Sequence, residues 1–110
     1  MTQQAQVSIT NDRRKAIITG GGILDFTNSA QFHNGLKEAS LNADAVIVDL
    51  QAVEFIDTAI VQDLAKAAVT LLKRDIRLQV IVTESGYPLK VLKVSGFGSI
   101  MDIEIEGTKE

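Results

Sequence analysis

The stretch from Ala45 to Leu50 is almost continuously apolar and rich in β-branched side chains. Such a run predicts a buried strand covered on both faces, as in a largely parallel sheet crossed by helices. The periodicity changes at Thr58, after which apolar residues recur on one stripe of a helix. That stripe contains Ile60, Val61, Leu64, Ala67, Ala68, Leu71 and Leu72. We therefore expect a central strand followed by a crossover helix, with Asp57 as the helix N-cap.

The rest of the chain predicts the partners of this strand. We expect a hairpin from strands near 7–9 and 16–18, followed by a helix capped by Thr27 or Asn28 and ending near Leu41. After the crossover helix we expect a buried strand over 78–83 and an edge strand over 101–106. Between these two strands we expect a short helix that begins at Pro88 and ends at Gly96. The order is β-β-α-β-α-β-α-β. It predicts a single α/β domain over residues 1–110, with a core of about 6–106 and a mixed sheet of about five strands joined by crossover helices.

Composition excludes several classes of function. The 110 residues include no cysteine and one histidine, which argues against thiolate or multi-histidine metal sites and gives no cofactor motif. A net charge of −3 and five aromatic residues argue against a nucleic-acid partner. The polar start of the chain and its short apolar runs predict no export signal and no direct membrane insertion. We expect a cytoplasmic protein.

Three consecutive glycines, Gly20 to Gly22, precede Ile23 and Leu24. They lack the lysine and Ser/Thr of a phosphate-binding loop and the spacing of a dinucleotide fingerprint. We interpret them as residues that shape the end of a strand.

Polar residues follow the predicted parallel strands, where the functional edge of an open α/β sheet lies. They are Asp25, Asp57 with Thr58, and Ser85. One interpretation is that Asp57 caps a helix and Thr58 is its first residue, with no further role. Another is an enzyme with Asp25 and Asp57 as an acid/base pair and Thr58 as nucleophile, although no histidine or lysine is placed in the sequence to activate the hydroxyl.

Three motifs together resemble the STAS domain of bacterial anti-sigma factor antagonists. Val46 to Leu50 leads through Phe55-Ile56 to Asp57-Thr58 at the start of an amphipathic helix. Gly22 to Asp25 resembles the end of the family's second strand, and Val94 to Phe97 resembles the end of its last helix. The resemblance covers roughly residues 6 to 106.

The resemblance implies a regulatory protein that has no catalytic activity. It implies that a serine/threonine protein kinase of the ATP-binding anti-sigma factor type binds the unmodified chain, phosphorylates Thr58 and thereby releases it, and that a protein phosphatase reverses the modification. The partner-binding residues it implies are Asp25, Asp57, Thr58, Ala59, Ile60 and Ser85.

A phosphate suits the position of Thr58. It adds about −1.5 to −2 charges, and at a helix N-terminus we expect free N–H groups to hold it without disturbing the fold. A partner that fits a neutral hydroxyl would be repelled by the dianion, with Asp57 and Asp25 adding negative potential.

The segment Asp57-Thr58-Ala59-Ile60 departs from the family pattern, which has glycine where Ile60 stands. If exposed, Ile60 is itself expected to contact a partner. The departure keeps a second function open, namely a non-phosphorylated STAS scaffold or interaction subunit of a stressosome-like or transporter-associated complex. The sequence leaves open whether the chain forms a homodimer.

Overall fold

The computed structural model describes residues 6–12 and 14–107, so Arg13 and both ends of the predicted domain 1–110 lie outside the described residues. Within these ranges the elements are β1 (Gln6–Asp12), β2 (Lys15–Leu24), α1 (Ser29–Ser40), β3 (Ala45–Ile56), α2 (Thr58–Leu72), β4 (Leu78–Thr83), α3 (Tyr87–Ser95) and β5 (Met101–Glu106). Short 3-10 turns at Phe26–Asn28 and Phe97–Ser99 precede α1 and β5. The predicted element order is confirmed, although β3 continues past Leu50 to Ile56.

The strands form one mixed sheet in the order β1-β2-β3-β4-β5. β1 and β2 are antiparallel, whereas β2 to β5 are parallel to one another. The register places Ile17 beside Ile47 and Val48 beside Val80. β3 is therefore the central strand, as predicted, and the ends of β2, β3 and β4 that lead into helices share one edge of the sheet.

The helices cover one face of this sheet. Strands that follow one another in sequence order through right-handed crossovers place their connecting helices on the same side. Burial agrees, since alternate residues of β3 and β4 are buried while those between them, including Ile47 and Ile81, are only partly buried. The expectation that the central strand is covered on both faces is wrong, because the alternate residues of the 45–50 run face a side that carries no helix.

A polar contact joins α1 to α2 inside the otherwise apolar layer. Asp63 is 7% exposed and accepts a hydrogen bond of 2.6 Å from the Ser29 hydroxyl. The imidazole Nδ1 of His33 lies 3.6 Å from the same carboxylate. Asp63 falls off the apolar stripe of α2, so the sequence pattern did not indicate its burial. At the C-terminal ends of α1 and α2, the Arg74 guanidinium donates a hydrogen bond of 2.6 Å to the Ser40 carbonyl and so joins the two helix ends.

Glycines shape two element ends. The register between β2 and β3 shifts between Thr19 and Gly21 and again between Gly22 and Ile23. Gly22 has φ +73°, which L side chains rarely adopt, and this confirms that the glycines shape the end of β2. Gly96, at φ +78°, ends α3 in the left-handed conformation, as predicted.

Candidate functional site

Asp57 connects two loops at the edge where β2 and β3 end. Its Oδ1 accepts hydrogen bonds from the N–H groups of Ala59, at 3.0 Å, and Ile60, at 3.3 Å. Its Oδ2 accepts a hydrogen bond of 2.9 Å from the N–H of Phe26, in the loop after β2. Asp57 is therefore the N-cap of α2, as predicted, and it also holds the β2–α1 loop against the start of α2.

Asp25 makes a second cap beside the first. Its Oδ1 accepts from the Thr27 N–H at 3.0 Å and from the Thr27 hydroxyl, while Asn28 Oδ1 accepts from the Asp25 N–H at 2.9 Å. These reciprocal bonds form a capping box around the 3-10 turn that leads into α1. Asn28 occupies the N-cap position of α1, as predicted for Thr27 or Asn28, but its side chain makes no capping hydrogen bond to that helix. Asp25 supplies the capping carboxylate of the 3-10 turn before it.

Thr58 is exposed at the first position of α2, directly after the engaged Asp57. Ala59 beside it is partly exposed. The site therefore presents a hydroxyl to solvent from a rigid helix start. The expectation that free N–H groups of this helix hold a phosphate on Thr58 does not extend to Ala59 and Ile60, because their N–H groups already donate to Asp57.

Ile60 points into the core. Its side chain is 0% exposed and belongs to the cluster of buried residues beneath the helices. The predicted contact between Ile60 and a partner is therefore wrong as a surface contact, since the helical repeat turns this position inward while Thr58 faces outward. Ile60 acts on the site only by fixing the start of α2 against the core.

Ser85 lies in the turn between β4 and α3, at the same edge of the sheet, and is exposed. The structure thus brings Asp25, Asp57, Thr58 and Ser85 to the edge where strands β2 to β4 end. Asp25 and Asp57 are linked through the loop after β2, in which the Phe26 N–H donates to Asp57 and the Thr27 N–H donates to Asp25. Ser85 stands on the neighbouring loop, with no described hydrogen bond from its side chain to that pair.

Exposed aromatic residues lie near Thr58, and of these Phe55 alone belongs to a motif noted in the sequence. Phe26 is 74% exposed in the loop after β2. Phe55, near the end of β3, stacks on Tyr87, at the start of α3, with ring centroids 5.1 Å apart and an interplanar angle of 16°. The available signal was that three of the five aromatic residues follow or end a predicted strand. Together with Thr58 we call these three residues the aromatic edge.

A groove of about 520 Å³ runs between α2 and α3 and begins at Thr58. It is lined by Thr58, Val61, Gln62, Tyr87, Lys90, Val91, Val94, Ser95 and Phe97. Val94 is 89% exposed on its rim. Lys90 is the charged residue among these described lining residues. The aromatic edge therefore continues into an apolar groove that carries one cation.

Two further findings concern the described ranges 6–12 and 14–107. No helix there combines the length and apolar character needed to cross a membrane. No cluster of His, Asp and Glu side chains in those ranges could hold a metal ion.

Comparison with known proteins decides the family. The STAS domain family matches residues 6–109, nearly the whole chain. The chain belongs to the STAS domain family. No curated protein sequence matches it.

Solved structures share this STAS fold at low sequence identity. An anti-sigma factor antagonist from Mycobacterium paratuberculosis is 15% identical, with a TM-score of 0.81 over 92% of this chain and 86% of that one. The anti-sigma factor antagonist SpoIIAA in its unphosphorylated form is 15% identical, with a TM-score of 0.66 over 96% and 90% of the two chains. The phosphorylated Bacillus cell fate determinant SpoIIAA is 18% identical, with a TM-score of 0.65 over 97% and 93%. These likenesses support the resemblance and the predicted α/β fold.

Proposed function

We propose that this STAS protein is an anti-sigma factor antagonist whose aromatic edge binds an ATP-binding serine/threonine kinase that acts as an anti-sigma factor. Phosphorylation of Thr58 ends that binding, and a phosphatase restores it. Binding of the unmodified chain occupies the kinase and frees a sigma factor. Such partners act in the cytoplasm, where we place this protein as well.

The observation that carries the proposal is the contrast between Asp57 and Thr58. The Asp57 carboxylate is engaged by three backbone N–H groups, whereas the adjacent hydroxyl is exposed. A kinase that approaches this edge therefore meets a rigidly held acceptor whose modification need not break the cap. The exposed Phe26 and Tyr87 supply apolar contact area of the type that dominates binding energy in protein interfaces.

The same contacts support a binding function over an enzymatic one. An acid/base pair needs carboxylates that can exchange protons with a substrate, but Asp57 stabilises two backbone segments and Asp25 closes a capping box. We propose that the chain performs no catalysis and that both aspartates shape the surface around Thr58.

Phosphorylation also has a structural precedent in this fold, since SpoIIAA has been solved in both unphosphorylated and phosphorylated forms. A dianion at Thr58 would stand beside Asp57 and close to the loop of Asp25. The combined negative charge would repel a partner surface that accommodates the neutral hydroxyl.

The deciding experiment is intact-protein mass spectrometry with fragmentation, on the chain isolated from its native cells with the proteins that co-purify. The proposal predicts a phosphate on Thr58 in part of the population and an ATP-binding kinase bound to the unmodified part. An unmodified Thr58 across growth and stress conditions, within a large stable complex, would instead support the scaffold function.

A further inference from the structure

The surroundings of Thr58 are electrostatically asymmetric. On one side lie Asp57 and the loop of Asp25, joined by the hydrogen bond from Phe26 to Asp57. On the other side the groove between α2 and α3 contains Lys90 and, among its described lining residues, no carboxylate. A negative group attached to Thr58 is therefore repelled from the β2 side and attracted toward α3.

Two N–H groups in the first turn of α2 are already engaged. The N–H groups of Ala59 and Ile60 already donate to Asp57 Oδ1, so a phosphate would have to displace that carboxylate to use them. Displacement would also free the Asp57 Oδ2 that holds Phe26. A side-chain cation across the groove provides charge compensation without breaking these bonds.

Lys90 is suited to that role. It is exposed in the first turns of α3. Lys90 belongs to none of the ion pairs within residues 6–12 and 14–107. Those pairs join Arg14 to Asp44, His33 to Asp63 and Arg77 to Asp102. Its ammonium group is carried on a flexible stem that can follow a phosphate. The other charged residue of α3, Lys93, lies in the last turn and does not line the groove.

On the basis of the function proposed above, we propose that Lys90 is the cation that receives a phosphate on Thr58, so that the phosphothreonine turns into the α2–α3 groove and covers its mouth. The modification then acts on a partner in two ways. It places a dianion at the aromatic edge. It also makes the groove opening and the ammonium group of Lys90 inaccessible to the partner.

The test uses the full chain with phosphothreonine incorporated genetically at position 58, so no kinase is needed. Phosphorus-31 NMR follows the second ionisation of the phosphate, whose pKa is ordinarily about 6. A nearby cation stabilises the dianion and lowers this pKa. We expect the midpoint in the unsubstituted chain to lie about 0.5 units below that in Lys90→Gln, which is about threefold in proton affinity.

The matched control is Lys93→Gln, which removes an exposed cation from the same helix outside the groove. It should titrate like the unsubstituted chain, and Lys90→Arg should retain the lowered pKa. In 1 M salt, the difference between the unsubstituted chain and Lys90→Gln should shrink as screening increases. Equal midpoints for Lys90→Gln and the unsubstituted chain would overturn the proposal, as would a phosphate that shifts the amide resonances of Phe26 and Thr27 but leaves the methyl resonances of Val91 and Val94 unchanged.

These results are independent of the native modification state. If the protein from native cells never contains phosphothreonine, the proposed function fails while the titration still reports whether Lys90 faces position 58. If the native protein is phosphorylated but the titration shows no effect of Lys90, the pairing fails and the proposed function stands.

Discussion

The N–H of Phe26 donates a hydrogen bond of 2.9 Å to the Oδ2 of Asp57, and this bond joins loops that follow two neighbouring parallel strands. Because the same carboxylate caps α2 through its other oxygen, one side chain holds the backbone of Phe26 next to the helix start where Thr58 lies. The arrangement of Phe26 and Thr58 thus depends on a single anionic group that itself faces the protein backbone.

Asp57→Ala should therefore destabilise the fold and loosen the site. Loss of the N-cap costs about 1–2 kcal/mol, and the Phe26 N–H also loses its acceptor. Urea unfolding measures the free energy, and hydrogen exchange at the Phe26 amide reports the loop. Ser85→Ala, at an exposed turn position, is the control and should unfold like the unsubstituted chain. Equal stability of Asp57→Ala and the control would show that the cap contributes little.

Thr58 variants test the switch without altering the cap. Because the hydroxyl is exposed, Thr58→Ala and Thr58→Glu should both remain folded. Thr58→Ala should bind the kinase constitutively, and Thr58→Glu should bind it at least about tenfold more weakly, since a carboxylate adds part of the charge of a phosphate. Titration calorimetry with the co-purified kinase measures both affinities, and authentic phosphoprotein is the stricter comparison. Equal affinity of all forms would contradict a switch at Thr58.

Phe26→Ser tests whether the aromatic edge binds the partner. The ring is 74% exposed, so its removal should change stability little, and the backbone N–H that holds Asp57 remains. We expect the affinity for the kinase to fall by about 10- to 100-fold, as for an aromatic hot spot. Leu41→Ser removes an apolar side chain that is 64% exposed at the end of α1, away from the edge, and should leave affinity unchanged. A similar loss in both variants would point to a non-specific effect.

Much of the fold could be predicted because periodicity reports burial directly. The apolar run over 78–83 predicted the strand β4, most of the predicted apolar stripe of α2 is buried, and Gly96 marks the end of α3. The sequence did not show that one face of the sheet carries no helix. The reason is that Ile47 and Ile81, which lie on that partly open face, are as apolar as the buried residues of the same strands.

The candidate site was predictable in its polar residues and not in its contacts. Asp57 and Thr58 carry a local capping signal that sequence alone can show. The bond from Phe26 to Asp57 joins residues 31 positions apart, so it depends on strand order and register. The groove at Lys90 likewise depends on how α2 and α3 pack. Asp63 was missed because its burial requires a partner hydroxyl on another helix.

Ile60 offers a test of how strongly the core holds the start of α2. Its side chain is fully buried, so Ile60→Val should cost about 0.5–1.5 kcal/mol and Ile60→Ala about 2–5 kcal/mol. Glycine would add roughly 1 kcal/mol through its helix propensity. Val69→Ala, at a position of the same helix that is 45% exposed, should change stability by less than about 0.5 kcal/mol. Chemical denaturation measures all four variants, and a mild effect of Ile60→Ala would show that the start of α2 can repack.

We expect the stability of the fold to depend on pH through one pair of carboxyl groups, those of Glu104 and Glu106. They lie two residues apart on β5, and a side-chain hydrogen bond with Glu106, together with its nearby negative charge, raises the pKa of Glu104 above its ordinary value of 4.5. A carboxyl group whose pKa is higher in the folded than in the unfolded state favours folding most when it is protonated, so this contribution is lost as pH rises from about 4.5 through the folded-state pKa. Glu104→Gln should consequently raise the urea midpoint slightly at pH 7 and have no such advantage at pH 3.5.

The hydrogen bond and the charge interaction between these two carboxyl groups involve both residues, which supplies the internal control for this prediction. Glu106→Gln alone should give a similar gain at pH 7, because either substitution leaves a single charge on that part of β5. Adding Glu104→Gln to Glu106→Gln should then bring little further gain. Additive gains at pH 7 would mean that each carboxylate is destabilised by something other than its neighbour, and the pH dependence would have to be assigned to other groups.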